Sequence, residues 1–366
     1  MRHSPWLLRL MLTCGGCLAL LSGSVVLAQA PTLDRVEIRD RKDGSTRTLT
    51  GKLMLTKNGL QLVSSDKKAT LLNFEEILRI EPGDLPDVDR ISFKAAFNNE
   101  DKKTKKDYDA ARTTYADLLK KAKDPAARRH LEYRLALIAT RVADLEADSP
   151  RWKELAEAAL KEWDSFLTTH TSGWEVWLAA RTASRLQVEL GQYDAAARLW
   201  SSISKLSDLP ADLRLEAAIQ QVDALFRSKN YAAAASALSA ALKDAKLGSA
   251  RDRLELYDLA SQEARQGLSP AAIDKLAKQI EQRLDKLTDP QVRATAFNIL
   301  GELYRQDPQR LRDAMWAYLW VETVYNTDKY EAHKAAVRLL DIFQTLKDEE
   351  RLLSQRDRLR QLRESL

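Results

Sequence analysis

Glycine, proline and cysteine are all scarce. Twelve glycines in 366 residues is under half the usual share of about 7%, too few for the many turns of a Rossmann fold, a TIM barrel or a large sandwich. Both cysteines, Cys14 and Cys17, fall in the first twenty residues, so a disulfide framework or a cysteine metal site has no material downstream. Glycines after Gly16 are never closer than seven residues, which leaves no phosphate-cradling loop. Beyond the first residues the only histidines are His130, His170 and His333, none with a second histidine at helical spacing. They read as core or solvated groups, and no metal or cofactor is expected.

What is present begins with a leader. Arg2 and Arg9 precede an apolar run over residues 10–21, and Ala28-Gln29-Ala30 supplies a small-x-small end. These are the parts of a secretory signal peptide, with cleavage expected after Ala30 and a periplasmic or extracellular destination. The run is shorter than the roughly 20 residues of a membrane span; an uncleaved anchor is the alternative. Removing residues 1–30 leaves 56 basic and 53 acidic residues. An excess of three charges over so large a chain is not the clustered basic face of a nucleic-acid binder, and no nucleic acid is expected.

Residues 31–84 alternate apolar and polar side chains with turn signals between them. Val36 and Ile38, then Leu49, Leu53 and Leu55, then Leu60 and Leu62 after Asn58-Gly59, then Leu71-Leu72 and Ile77 to Ile80, read as five short strands. Gly51 fits a bend within the longest of them. In strand count and spacing this module is similar to a small SH3- or Sm-type barrel. It is too small for a comfortable core of its own and is expected to pack on the first helices.

From residue 85 the chain is helical. Its five remaining pairs of the form Asp-Pro or Ser-Pro, at 124, 149, 269, 289 and 307, are expected to be caps followed by proline at the first helical position. A four-position signature at spacing three, four, three recurs as Tyr108, Ala111, Tyr115, Leu118; Ala156, Ala159, Trp163, Phe166; Tyr193, Ala196, Trp200, Ile203; Tyr231, Ala234, Leu238, Ala241; and Leu311, Ala314, Tyr318, Val321. Weaker copies are Ile273, Leu276, Ile280 and Leu352, Gln355, Leu359, Leu362. The small residue returns every 37 to 48 residues. Each signature marks one stripe of a helix, and an amphipathic segment lies between copies, so the unit is a helical hairpin. About six such hairpins are expected, the last helix, rich in arginine, serving as a polar cap.

Gly191-x-Tyr193-x-x-Ala196 with Trp200, and Leu300-Gly301-x-x-Tyr304, resemble the tetratricopeptide repeat family over about residues 102–366, with a period longer than the usual 34. The resemblance implies an α-solenoid over residues 85–366 whose concave face, lined by first helices, binds a protein or peptide. Alignment to the matching positions puts Arg181, Arg185, Asp223, Asn298, Glu302 and Arg305 on that lining.

Other patterns carry less. Ser64-x-x-Lys67 has a hydrolase spacing but sits in a turn with no accompanying motif, and reads as chance. The basic run over residues 102–106 reads as a solvated helix start. Trp174 and Trp177 open a first helix and are expected between repeats, stacking on a sugar or peptide being the alternative; Trp316 and Trp320 are expected in the core. With no convergent catalytic set, the expected function is a non-enzymatic, exported adaptor that binds a protein or peptide partner. The alternative is a β module that binds cell-wall glycan or another polyanion, with the helices as a spacer.

Overall fold

The computed structural model describes residues 33–40, 44–243, 248 and 250–365; the expected leader, residues 1–30, lies outside the described residues. Strands β1 (Asp34–Arg39), β2 (Thr46–Thr56), β3 (Gly59–Val63), β4 (Ala69–Leu72) and β5 (Ile77–Glu81) form an antiparallel sheet in the order β4-β3-β2-β1-β5. The long β2 pairs with β1 through residues 46–51 and with β3 through residues 52–56, so it changes partner at Gly51. A Cβ there would stand 2.6 Å from the Val63 carbonyl oxygen, a close approach that only glycine permits. The β2–β3 turn falls on Lys57 and Asn58, one residue earlier than Asn58-Gly59 suggests, and Gly59 opens β3 with φ +115°. Val36, Ile38, Leu60, Leu62 and Leu72 share one core with Tyr133, Trp163 and Trp177 from the helices. The small sheet thus completes its core on the helical part, as its size requires.

Fourteen α-helices follow among the described residues, in successive pairs. They are α1 (Arg90–Glu100) with α2 (Lys105–Lys121), α3 (Pro125–Leu145) with α4 (Trp152–Thr169), α5 (Trp174–Glu189) with α6 (Tyr193–Ile203), and α7 (Ala211–Arg227) with α8 (Tyr231–Ala241). Then come α9 (Ala250–Ala264) with α10 (Pro270–Leu284), α11 (Pro290–Tyr304) with α12 (Leu311–Thr323), and α13 (Lys329–Leu346) with α14 (Glu349–Ser365). Every copy of the signature falls on an even-numbered helix, and its central pair is buried in each, from Ala111 and Tyr115 in α2 to Gln355 and Leu359 in α14. The pairs number seven, against about six expected, because α1 lies ahead of the first signature and packs on α2. Among the described residues no helix is long and apolar enough to cross a membrane.

The caps follow the sequence with one exception. Asp124, Ser269 and Asp289 each accept a backbone N–H at the start of α3, α10 and α11, with proline next, and Asp307-Pro308 starts a short 3-10 turn ahead of α12. Ser149-Pro150 starts no helix: its hydroxyl accepts from Arg151 N (3.2 Å) in a turn, and α4 begins at Trp152. Gly301 of α11 is required by packing, since a Cβ on it would run into the Tyr318 ring of α12.

Trp316 and Trp320 are a correction. They are 60% and 46% exposed, because α12 buries the stripe through Ala314, Tyr318 and Val321 and the helical repeat turns positions 316 and 320 to the other side. Trp320 stacks instead on Phe297 of α11, ring centroids 5.7 Å apart.

Candidate functional site

The odd-numbered helices carry polar side chains where a core would ordinarily be apolar. Arg185 and Gln187 on α5, Gln220, Asp223 and Arg227 on α7, Arg253 on α9, Asn298 and Glu302 on α11, and Glu331, His333, Lys334 and Arg338 on α13 are all buried. Burial on this scale demands partners, and α13 supplies several of them. Asp223 Oδ2 lies 3.0 Å from Lys334 Nζ. Asn298 Nδ2 donates to Glu331 Oε2 (2.7 Å). Glu302 accepts from Arg338 at both oxygens (2.6 and 3.0 Å), from Arg227 (2.8 Å) and from the Tyr318 hydroxyl (2.9 Å). Arg253 spans Glu216 (2.7 Å) and Glu331 (3.3 Å). Arg185 holds Asp144 (2.8 Å) and Glu189 (2.9 Å), and Glu189 meets His333 Nε2 (2.8 Å).

Five of the six residues assigned to the lining from the sequence come up to α13, and Arg185 joins it only through Glu189 of its own helix. Asp223 reaches it through Lys334, Asn298 through Glu331 and Glu302 through Arg338. Arg305 Nη2 lies 3.7 Å from Asp341, and the Arg181 guanidinium stands 6.0 Å from the centre of the Tyr330 ring. The inner face of the first helices receives α13 of the same chain, so their polar groups are used internally. Sequence reasoning missed the α13 partners. The available signal was in α13 itself, where Tyr330, Ala332, Ala335, Ala336, Val337, Leu339, Ile342 and Phe343 cover most of the circumference, wider than the stripe of a one-sided helix.

The same closure involves α14. Arg363 Nε donates to Glu189 Oε2 (2.9 Å), and Arg360 Nη2 to Asp148 Oδ2 (2.8 Å). Within the polar cap expected of the last helix, Arg360 and Arg363 also tie the last pair to residues around the end of α3 and to α5. The electrostatics follow from this pairing. Burial alone would raise the Glu302 carboxyl, but the Arg338 and Arg227 guanidiniums beside it bring it down to about 2. Burial likewise opposes ionisation of Glu189, and Arg363 and Arg185 hold it well below the usual carboxylate range. Burial keeps His130 and His333 below the usual histidine range.

One end of this inner face stays accessible. A cavity of about 810 Å³ lies where the loop after β4 meets the starts of α5, α7, α11 and α13. Phe74, Trp177 and Tyr330 form aromatic wall; Glu75, Glu76, Asp212, Glu216, Asp289 and Asp328 supply carboxylates against one guanidinium, Arg181. Phe74 and Trp177 pack with centroids 6.3 Å apart, and Arg181 pairs with Glu75 (2.8 Å). Leu71, 64% exposed, stands on the rim. A larger hollow, about 1160 Å³, is walled by alanine and serine around α6, α7 and α8, with Asp194, Arg198, Lys205 and Arg214 among its lining and no aromatic side chain.

Asp328 reports the field in the cavity. Burial, then the neighbouring Glu75 and Glu331, push its carboxyl up to about 6, although its oxygens accept from Tyr330 N (2.8 Å), Glu331 N (3.1 Å) and Gln291 Nε2 (2.6 Å). The folded chain binds this proton more tightly than the unfolded one, so the group lowers stability above about pH 6 and ceases to do so as pH falls towards 4. Asp328→Asn keeps a capping oxygen and removes the charge. It should raise stability near pH 7 by about 1–2 kcal/mol, with the gain vanishing below about pH 4, as read by thermal melts across that range.

Among the described residues no group of His, Cys, Asp and Glu side chains is placed to hold a metal ion. No protein-family model matches the chain, and no curated protein matches it.

Proposed function

We propose that the chain is an exported, non-enzymatic adaptor of tetratricopeptide-like α-solenoid build, which binds a protein or peptide partner at the accessible end of its inner face. What supports this reading is the cavity beside the β module. It has the volume of a ligand site, in the range of roughly 300–1,000 Å³, it combines aromatic wall with polar groups, and it is assembled from the sheet and four separate helices. The remainder of the inner face is committed to α13. The sheet has a role here beyond packing, since its β3–β4 edge and the Phe74–Glu76 turn form one side of the cavity.

Site-specific photocross-linking tests the reading. A photoreactive residue in place of Leu71, on the cavity rim, should yield a discrete protein adduct in cells, and the same residue at Ser236, in the alanine-walled hollow, should not. Adducts at neither position, or equally at both, would contradict it. On the export side, the protein recovered from the envelope should begin at Pro31.

A further inference from the structure

We propose that a further cavity, between the turn after α3 and the last helix, binds a small organic carboxylate. The proposal stands apart from the adaptor reading and uses none of the residues beside the sheet. The cavity measures about 420 Å³, within the roughly 300–1,000 Å³ of small-molecule sites. Residues 147–153 form one side of it, and Leu340 of α13 and three residues of α14 form the other. What calls for an occupant is Trp152. It lies in the cavity wall, and its indole nitrogen is buried with no hydrogen-bond partner among the described residues. A buried donor left in that state is rare and asks for an acceptor. The one carboxylate in the wall, Asp148, is turned to arginines instead: it accepts from Arg360 Nη2 (2.8 Å) and lies 4.0 Å from Arg356 Nε.

The groups around the indole are donors too. The Arg363 side chain is only 8% exposed, and its guanidinium stands 5.6 Å from the centre of the Trp152 ring. Its Nε and Nη2 are spent on Glu189, which leaves Nη1 without a hydrogen bond. Lys153 and Arg356 line the cavity as well, and Lys153 has no partner among the described residues. Charge balance then fixes the ligand at one negative charge. Asp144 and Glu189 answer Arg185 and Arg363, while Asp148 and Asp357 answer Arg356 and Arg360. Lys153 is the cation left over. A carboxylate matches that charge, brings two acceptor oxygens for the indole N–H and the free Arg363 nitrogen, and gains from charge-assisted hydrogen bonds. Pro150, Leu340, Leu359 and the Trp152 ring make much of the remaining wall apolar, so the carboxylate is carried on an apolar body; a bare inorganic anion would leave that wall wet.

Nuclear magnetic resonance of the protein carrying isotope-labelled tryptophan reads this at the indole N–H itself, with the Trp152 signal assigned by its loss in Trp152→Phe. Phenylpropionate should shift that signal saturably while the other indole signals stay nearly still. Its neutral counterpart, phenylpropanamide, should bind about tenfold more weakly. The double variant Lys153→Gln/Arg356→Gln should weaken phenylpropionate binding by about tenfold, with the remaining indole signals in place to show an intact fold. Inorganic phosphate at the same concentration should shift the Trp152 signal less. Absence of a saturable shift with phenylpropionate, an equal response to acid and amide, a response unaltered in the double variant, or phosphate acting as strongly as phenylpropionate would each overturn the proposal.

Discussion

Glu302→Ala is expected to cost about 3–5 kcal/mol, a large fraction of the stability of an ordinary domain. The carboxylate receives hydrogen bonds from Arg338, Arg227 and the Tyr318 hydroxyl, all of them buried. Removing it leaves the buried Arg338 guanidinium with only Asp341 at 3.7 Å and reduces Arg227 to its pairing with Asp223, and the charge left poorly compensated in the interior dominates the loss. Urea unfolding should show a lower midpoint with little change in slope. Glu302→Gln keeps the volume and one acceptor and should fall between the two. The pH dependence has a definite sign. The folded pKa, about 2, lies below the ordinary 4.5, so the stabilisation from this group is fully present above about pH 4.5 and is lost as pH falls towards 2. The gap between wild type and Glu302→Gln should therefore narrow in acid. A loss under about 1 kcal/mol for the alanine variant, the value of an exposed pair, would mean that this network is not closed.

Ending the chain after Tyr325, which deletes α13 and α14, should abolish cooperative folding. In an extended array each repeat touches only its neighbours, and loss of a terminal unit costs that unit and one interface. Here α13 reaches far beyond its neighbours. Leu339, Ile342 and Phe343 belong to the large core shared with α7, α9, α11 and α12, and Tyr330 belongs to the core that includes the sheet. At about 1.5–3 kcal/mol for each large apolar side chain, these four residues alone match typical domain stability. Asp223, Asn298, Glu302 and Glu189 would lose α13 partners at the same time. Circular dichroism should show reduced helicity and a broad melt. A truncated chain that melts as sharply as the full one would mean that α1 to α12 fold independently with a groove open to solvent.

Much of this build could be read from the residues, because it depends on local rules. The alternation over residues 36–80 marks the strands, and the three-four-three stripe marks the seven even-numbered helices even where aromatic and small residues are replaced, as in α14. Of the assigned lining residues, Asp223, Asn298 and Glu302 pair with α13, a grouping that helical phase places on one side of each helix. The destination of that face is another matter. How far the pairs turn as they stack is the sum of small rotations between neighbours, and no single residue encodes the sum. That is why α13 meeting α5, through Ser184 and Tyr330 (2.6 Å) and through Glu189 and His333, could not be read in advance. The candidate site shows the same division. Trp177 and Arg181 stood out in sequence, yet Phe74, Gln220, Asp289 and Asp328 reach the cavity only through contacts between segments up to some 250 residues apart. Trp316 and Trp320 show the limit of residue type as a guide. Large aromatics are usually buried, but phase relative to the stripe places these two outside.

Hydrogen exchange on the full chain, followed by mass spectrometry, is the most direct measurement of whether α13 is the filling of the inner face. The amides of residues 332–343 should exchange only through global unfolding, as slowly as those of α5 and α11 and far more slowly than those of the largely exposed α8. Rapid exchange of α13 together with α14, while α5, α7 and α11 remain protected, would show a hairpin that opens on its own and would contradict the closed interior on which the position of the binding cavity depends.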